Sequence, residues 1–115
     1  MKLGIVGTRT FTDYEYLKKK ILRIYKIKDI EEIVSGGAEG ADTLAEQFAK
    51  EFDIPIKIYK PNWDKYGRKA GALRNVKIVN RSSVIIAFWD GKSPGTKITI
   101  DIAEKQKKQV HKVIL

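Results

Sequence analysis

Five short runs rich in β-branched residues alternate with four amphipathic stretches, and this alternation restricts the fold more than any other feature of the chain. Residues 2–6, 32–35, 55–59, 84–89 and 110–115 have the length and Val/Ile content of strands. Residues 13–25, 41–52, 71–81 and 95–107 carry apolar side chains at helical spacing. The second helix is the clearest, with Ala41, Leu44, Ala45, Phe48, Ala49 and Phe52 on one face; the first puts Leu17, Ile21, Leu22 and Ile24 on or near one side. Strands separated by helices pair in parallel through right-handed crossovers. The expected fold class is therefore α/β: a Rossmann-like three-layer sandwich, with an approximately five-stranded parallel sheet and helices on both faces. One domain over residues 1–115 is expected, because a chain of this size buries roughly two-thirds of its unfolded surface without disulfide or metal staples.

Composition removes several chemistries. With no Cys and a single His, thiolate catalysis, iron–sulfur ligation and ordinary zinc sites lack their side chains. No cofactor is required by the residues present; among metals, only a hard, oxygen-ligated cation such as Mg²⁺ stays open. His111 lies inside the last predicted strand, where a structural role is expected. The opening MKLGIVGTRT breaks at Gly7, well short of a signal-peptide core, and no stretch approaches the ~18 apolar residues of a membrane span. The expectation is a cytoplasmic protein with no membrane partner. The formal charge of +9 comes mostly from Lys, much of it on predicted helix faces such as Lys18, Lys19, Lys20, Arg23 and Lys26. That charge suits either a solvated surface or the attraction of a polyanion.

Ligands of open parallel sheets bind beyond the carboxyl ends of the strands, so the segments after each strand carry the functional reading. After the first come Gly7, Thr8 and Arg9, a tight turn followed by a guanidinium that suits phosphate or carboxylate. After the second comes Ser35-Gly36-Gly37-Ala38-Glu39-Gly40-Ala41-Asp42, Gly-rich and leading into the clearest helix. Its glycines permit close backbone approach, and the helix N-terminus offers free N–H groups. The spacing is neither GxGxxG nor Walker A. Asp42 can cap the helix or bind a ribose hydroxyl. After the fourth strand, Trp89-Asp90-Gly91-Lys92-Ser93-Pro94-Gly95-Thr96 repeats the strand, turn and helix pattern. Its Gly-Lys-Ser is no P-loop, since the earlier Gly would fall at Ile86 inside the strand. Trp63, Tyr66 and Trp89, at or beyond strand ends, can stack on a base or pack under a loop. Arg74 and Asn75 add a cation and an amide near the same edge. A serine hydrolase is not supported, because Ser35 lacks the preceding glycine of a nucleophile elbow and His111 is badly placed to serve it.

The fragments GTRTF, IVSGGAEGADTLAEQFAKE, PNWDKYGRKAGALRN and VIIAFWDGKSPGT, in this order, resemble the YspA/YpsA-related branch of the SLOG superfamily. These Rossmann-like proteins have the lonely-guy phosphoribohydrolases and the DNA-processing protein DprA as relatives. The resemblance runs over nearly the whole chain. It implies nucleotide-type ligand contacts at Gly7, Arg9, Ser35, Gly36, Gly37, Gly40, Asp42, Arg74, Asn75, Ser93, Gly95 and Thr96. Loop position adds Thr8, Ala38, Trp63, Trp89 and Asp90. In lonely-guy enzymes the fourth loop reads PGGxGTxxE and its Glu assists glycosidic cleavage; here that position is Thr99, a neutral hydroxyl. Asp101 lies elsewhere around the helix.

Three functions follow as expectations. The leading one is a module that senses or sequesters a nucleotide-derived small molecule, an ADP-ribose-like compound or a nucleoside phosphate. The second is a nucleotide N-glycosidase of the phosphoribohydrolase type, with Arg74, Asp42 and Asp90 as catalytic candidates and Glu39 as a further carboxylate. The third is a DprA-like single-stranded nucleic-acid binder using the charge and the basic residues Lys65, Arg68 and Lys69. The lonely-guy relatives also imply a homo-oligomer, a dimer or higher.

Overall fold

The computed structural model describes residues 1–115. Its elements are β1 (Lys2–Gly7), α1 (Tyr14–Ile24), β2 (Glu32–Ser35), α2 (Ala41–Glu51), β3 (Ile56–Ile58), α3 (Trp63–Tyr66), α4 (Ala70–Arg81), β4 (Val84–Trp89), α5 (Pro94–Lys105) and β5 (Gln109–Ile114). All strand pairs are parallel, in the order β3-β2-β1-β4-β5. The expected five-stranded Rossmann-like sheet is thus present. β1 is its centre, with Gly4 in register between Val34 and Ile85.

The pleat of the central strands assigns the helices to two faces. Leu3, Ile5, Ile33, Ile86 and Phe88 pack with Leu17 and Ile21 of α1 and with Leu44, Ala45 and Phe48 of α2. Val6, Val34, Ile85 and Ala87 point to the other face, against Ile78 and Val79 of α4 and Ile100 and Ala103 of α5. Each large aliphatic side chain buried in these layers contributes roughly 1.5–3 kcal/mol. Burial on both faces explains why β1 and β4 read as continuous apolar runs rather than alternating ones.

Several polar devices fix the edges of the layers. Asp13 caps α1 by accepting from the Tyr16 N–H at 3.1 Å. Arg81, at the end of α4, forks onto Glu32 of β2 at 2.5 and 2.9 Å, which holds the Glu32 carboxyl below its usual range. Lys108 donates its ammonium to the carbonyls of Val79, Asn80 and Ser82, closing the C-terminus of α4. His111 lies in β5, and its ring meets Tyr25 edge-on at 5.6 Å. No helix is long and apolar enough to cross a membrane.

The main departures from the sequence reading lie around β3. The strand is three residues long, although its neighbour's hydrogen bonds extend it: Ile33 donates to the Pro55 carbonyl and Tyr59 donates to Ser35, both at 2.8 Å. Residues 60–70, which fall between the strand and the helix read from sequence, contain helical turns instead of an irregular loop. Asn62 accepts from the Lys65 N–H at 3.1 Å and nucleates α3, and a 3₁₀ turn at Gly67–Lys69 runs directly into α4. The Asn62 cap was a readable signal, but four residues are too few to show a helical period.

Candidate ligand-binding crevice

Strand order reverses between β1 and β4: from β1 the sheet grows through β2 to β3 on one side, and through β4 to β5 on the other. The loops leaving β1 and β4 therefore part in opposite directions, and a crevice opens above their carboxyl ends. A cavity of about 420 Å³ occupies this point. Gly7, Thr8, Arg9, Ala38, Asp42, Arg74, Asn75, Asp90, Ser93, Gly95 and Thr96, all named from sequence, line it together with Val6, Thr10, Ile78, Pro94 and Thr99.

The crevice walls are held by the backbone of the β1 loop. Thr8 donates its N–H to Phe88 at 2.9 Å and its hydroxyl accepts from the Asp90 N–H at 3.1 Å, tying this loop to the one after β4. Gly40, with φ +73°, packs against the other side. A Cβ on Gly40 would sit 2.4 Å from the Thr8 carbonyl oxygen and 2.5 Å from that of Arg9. Only glycine fits this approach and this φ, so Gly40 serves chain packing and does not line the cavity. Gly36 is likewise covered: a Cβ there would meet the Arg74 Nη1 at 2.6 Å and the Asp42 Oδ2 at 3.0 Å.

Arg74 is the best-fixed cation of the crevice. Its Nη1 donates to the Gly36 carbonyl and its Nε to the Asn75 Oδ1, each at 2.8 Å. Asn75 is buried, and so orients the guanidinium rather than exposing its own amide widely. Burial lowers the Arg74 pKa; Asp42 opposes that fall and the charge of Arg9 adds to it. Two guanidiniums thus converge on one space, with Arg9 exposed at its rim.

Two helix N-termini face the same space. α2 starts after Gly40 and α5 after Ser93, and neither start has a side-chain cap. Pro94 at the first position of α5 has no N–H to satisfy. The first N–H of α2, that of Ala41, donates to the Thr8 carbonyl at 3.5 Å, whereas Gly95 and Thr96 at the start of α5 line the cavity, and the positive ends of both helix dipoles favour an anion there.

The carboxylates divide sharply. Asp90 Oδ1 accepts from the N–H groups of Lys92 and Ser93 at 2.8 Å and Oδ2 from the Ser93 hydroxyl at 3.1 Å. The Ser93 and Lys92 N–H groups hold its pKa below the usual value. It is a staple of the β4 loop. Asp42 is buried in the first turn of α2 and reaches back to accept from the Ala38 N–H at 3.1 Å. Burial pushes its pKa up to about 6, against the opposing pull of the Ala38 N–H and Arg74. The Thr99 hydroxyl lines the cavity but donates to Gly95 of its own helix at 3.2 Å, and Asp101 pairs with Lys97 on the exposed side. No three His, Asp or Glu side chains come together anywhere in the chain.

A second cavity of about 540 Å³ adjoins the first. Arg9, Ala38 and Arg74 line both, and Gly37, Glu39, Lys60, Pro61 and Trp63 complete the second. Ser35 lies buried below the site. Trp89 lines neither cavity; its indole N–H donates to the Ser93 carbonyl at 3.1 Å, which makes it a brace of the loop. Lys60 escaped the sequence reading, although it directly follows the strand read over residues 55–59, where the strand-end rule applies. Ile78 also escaped it, although it stands one turn after Arg74 on α4.

Fold and crevice together define a Rossmann-like parallel α/β domain with an arginine-lined cleft at its topological switch point. The chain belongs to the YspA, cpYpsA-related SLOG family, whose model matches residues 1–66. The Gene 61 protein of Mycobacterium phage D29 is 35% identical over 79 residues, which cover 64% of this chain and 63% of the phage protein. Among solved structures, DNA processing protein A (DprA) from Streptococcus pneumoniae is similar with a TM-score of 0.80 at 20% identity, covering 96% of this chain and 49% of that one. DNA processing protein A from Helicobacter pylori, described for its single-stranded DNA binding mode, is similar with a TM-score of 0.73 at 22% identity, covering 97% and 64%. These two likenesses are of fold. The chain thus spans about half to two-thirds of the length of the relatives it matches.

Proposed function

We propose that the crevice binds a nucleotide-derived small molecule through its phosphate, and that the protein acts as a sensing or sequestering module. The observation that carries this reading is the convergence of Arg9 and Arg74 on a cavity also faced by two uncapped helix N-termini. Like charges held this close repel one another, and an anion between them relieves the repulsion. The hydroxyl of Thr96, which lines the cavity, suits a ribose or base edge. The test is calorimetric titration with AMP, NAD and ADP-ribose, alongside mass spectrometry of what survives gel filtration. Arg9→Ala and Arg74→Ala are each expected to weaken binding tenfold or more, on the order of 1.5–3 kcal/mol for a charge-assisted pair. Affinities unmoved by both changes would place the ligand elsewhere.

A second reading is binding of single-stranded nucleic acid, favoured by the +9 charge and by Lys65, Arg68 and Lys69, which are exposed beside Trp63 and Tyr66. The likeness to DprA supports it. An oligothymidylate bound in this way loses affinity steeply as salt rises, because each neutralised phosphate releases counterions. A crevice that takes one small anion responds far less.

A further inference from the structure

We propose that the outer face of α1, with the turn that follows it, docks onto an anionic phospholipid surface. None of its residues lines either cavity, so the inference is independent of the ligand proposed above.

Residues 16–28 carry six cations, Lys18, Lys19, Lys20, Arg23, Lys26 and Lys28, and no carboxylate. Lys18 is engaged by Glu51 at 2.7 Å, and the Lys20 ammonium lies 5.4 Å from the centre of the Tyr16 ring. Lys19, Arg23, Lys26 and Lys28 are exposed and take part in no ion pair. Lys19 and Arg23 stand one turn apart on the helix, where like charges repel. The fold supplies no counter-ion for this repulsion. A plane of anionic headgroups does, at a gain of about fivefold in partition for each cation near it.

Two aliphatic side chains decide which polyanion fits. The buried stripe of α1 is Leu17 and Ile21, and Leu22 and Ile24 fall outside it, 40% and 39% exposed. Leu22 follows Lys19 by three residues and Ile24 follows Lys20 by four, so each aliphatic neighbours an ammonium on the helix surface. A phosphate backbone has no apolar layer for them, whereas the boundary between headgroups and acyl chains takes both, with the lysine stems lying along it. The nearby aromatic rings are half-buried and already engaged, Tyr16 edge-on to Phe11 at 6.1 Å and Tyr25 edge-on to His111 at 5.6 Å. No ring of this face is left open to stack on a base. The expectation of no membrane partner rested on the lack of a spanning or signal segment, and a surface contact requires neither.

The test is co-sedimentation of the full chain with phosphatidylcholine vesicles, with and without about one-third phosphatidylglycerol. Binding is expected to the anionic vesicles only, and to fall steeply between about 0.1 M and 1 M salt as the Debye length shrinks. Lys19→Glu with Arg23→Glu should weaken it at least about tenfold. Lys77→Glu with Lys105→Glu, an equal change of net charge at exposed positions of α4 and α5 on the other face of the sheet, should leave it within about twofold. Leu22→Ser should weaken it about fivefold without altering the binding of an oligothymidylate. Should the first pair disturb folding in circular dichroism, Lys26→Gln with Lys28→Gln, outside α1, is expected to reproduce the loss. No sedimentation with anionic vesicles, or equal losses from the two charge reversals, overturns the proposal. So does a loss of oligothymidylate affinity on Lys19→Glu with Arg23→Glu while Leu22→Ser leaves vesicle binding unchanged, which would assign the face to nucleic acid.

Discussion

Asp42 offers the sharpest test of the crevice's electrostatics, because it is a buried carboxylate in a cavity that Arg9 and Arg74 also line. Its pKa is about 6 in the folded chain against a reference of 3.8. A folded pKa raised above the unfolded one contributes stability that is full below pH 3.8 and is lost as pH rises through 6. The difference of about two pKa units corresponds to about 3 kcal/mol, an upper bound on what ionised Asp42 costs the fold at neutral pH. Asp42→Asn keeps an oxygen for the Ala38 N–H and removes the charge. Urea unfolding of both proteins from pH 4 to pH 8 should show the variant gaining on the wild type across pH 4–6, by as much as about 3 kcal/mol, with a plateau above. Taking the difference between the proteins cancels carboxylates such as Glu32, whose lowered pKa acts in the opposite sense. A phosphate beside Asp42 further favours the protonated form, so wild-type affinity for AMP should fall between pH 5 and 7 and the variant's should fall less. Parallel stability profiles would refute the argument that Asp42 is ionised at a cost.

Three further perturbations have defined outcomes. Gly40→Ala forces a Cβ into the carbonyls of Thr8 and Arg9 at a positive φ and should cost about 2 kcal/mol or more in urea unfolding; a loss below about 0.5 kcal/mol would mean that the loops separate freely. Lys108→Met removes the ammonium from the three carbonyls at the end of α4 and should cost about 1–2 kcal/mol, whereas Lys112→Met, which breaks only the exposed pair with Glu104, should cost under about 0.5 kcal/mol. AMP incubated with the protein should be recovered intact by mass spectrometry, because Thr99 stands where the PGGxGTxxE pattern that the fourth loop resembles carries Glu; release of adenine, abolished by Asp42→Asn, would make Asp42 the catalytic carboxylate.

How far the sequence revealed the site depends on whether a residue's role follows from its place on a strand end or from contacts across the fold. The parallel sheet was legible because burial on both faces leaves apolar runs in β1 and β4, and the Gly-rich turns marked the helix starts of α2 and α5. Arg9 and Arg74 are 65 positions apart, and only the sheet order that sets the β1 loop opposite α4 brings their charges together. Nothing local to either residue encodes that encounter. The reverse holds for Trp89 and Asp90, which look like site residues in sequence and prove to be a brace and a staple, since both satisfy hydrogen bonds within their own loop. Trp63 is the instructive contrast. Trp89 ends β4 and Trp63 opens the helical turn after β3, yet the Trp63 indole forms no hydrogen bond and stands open beside three cations. A side chain whose polar and apolar surfaces are already engaged serves the fold, and one held rigidly with its surface unused is set for a partner outside it. On the proposed reading Arg9, Trp63 and the donors that Arg74 keeps beyond Gly36 and Asn75 face the ligand, and Gly40, Thr8, Asp90 and Trp89 form the frame that holds them in place.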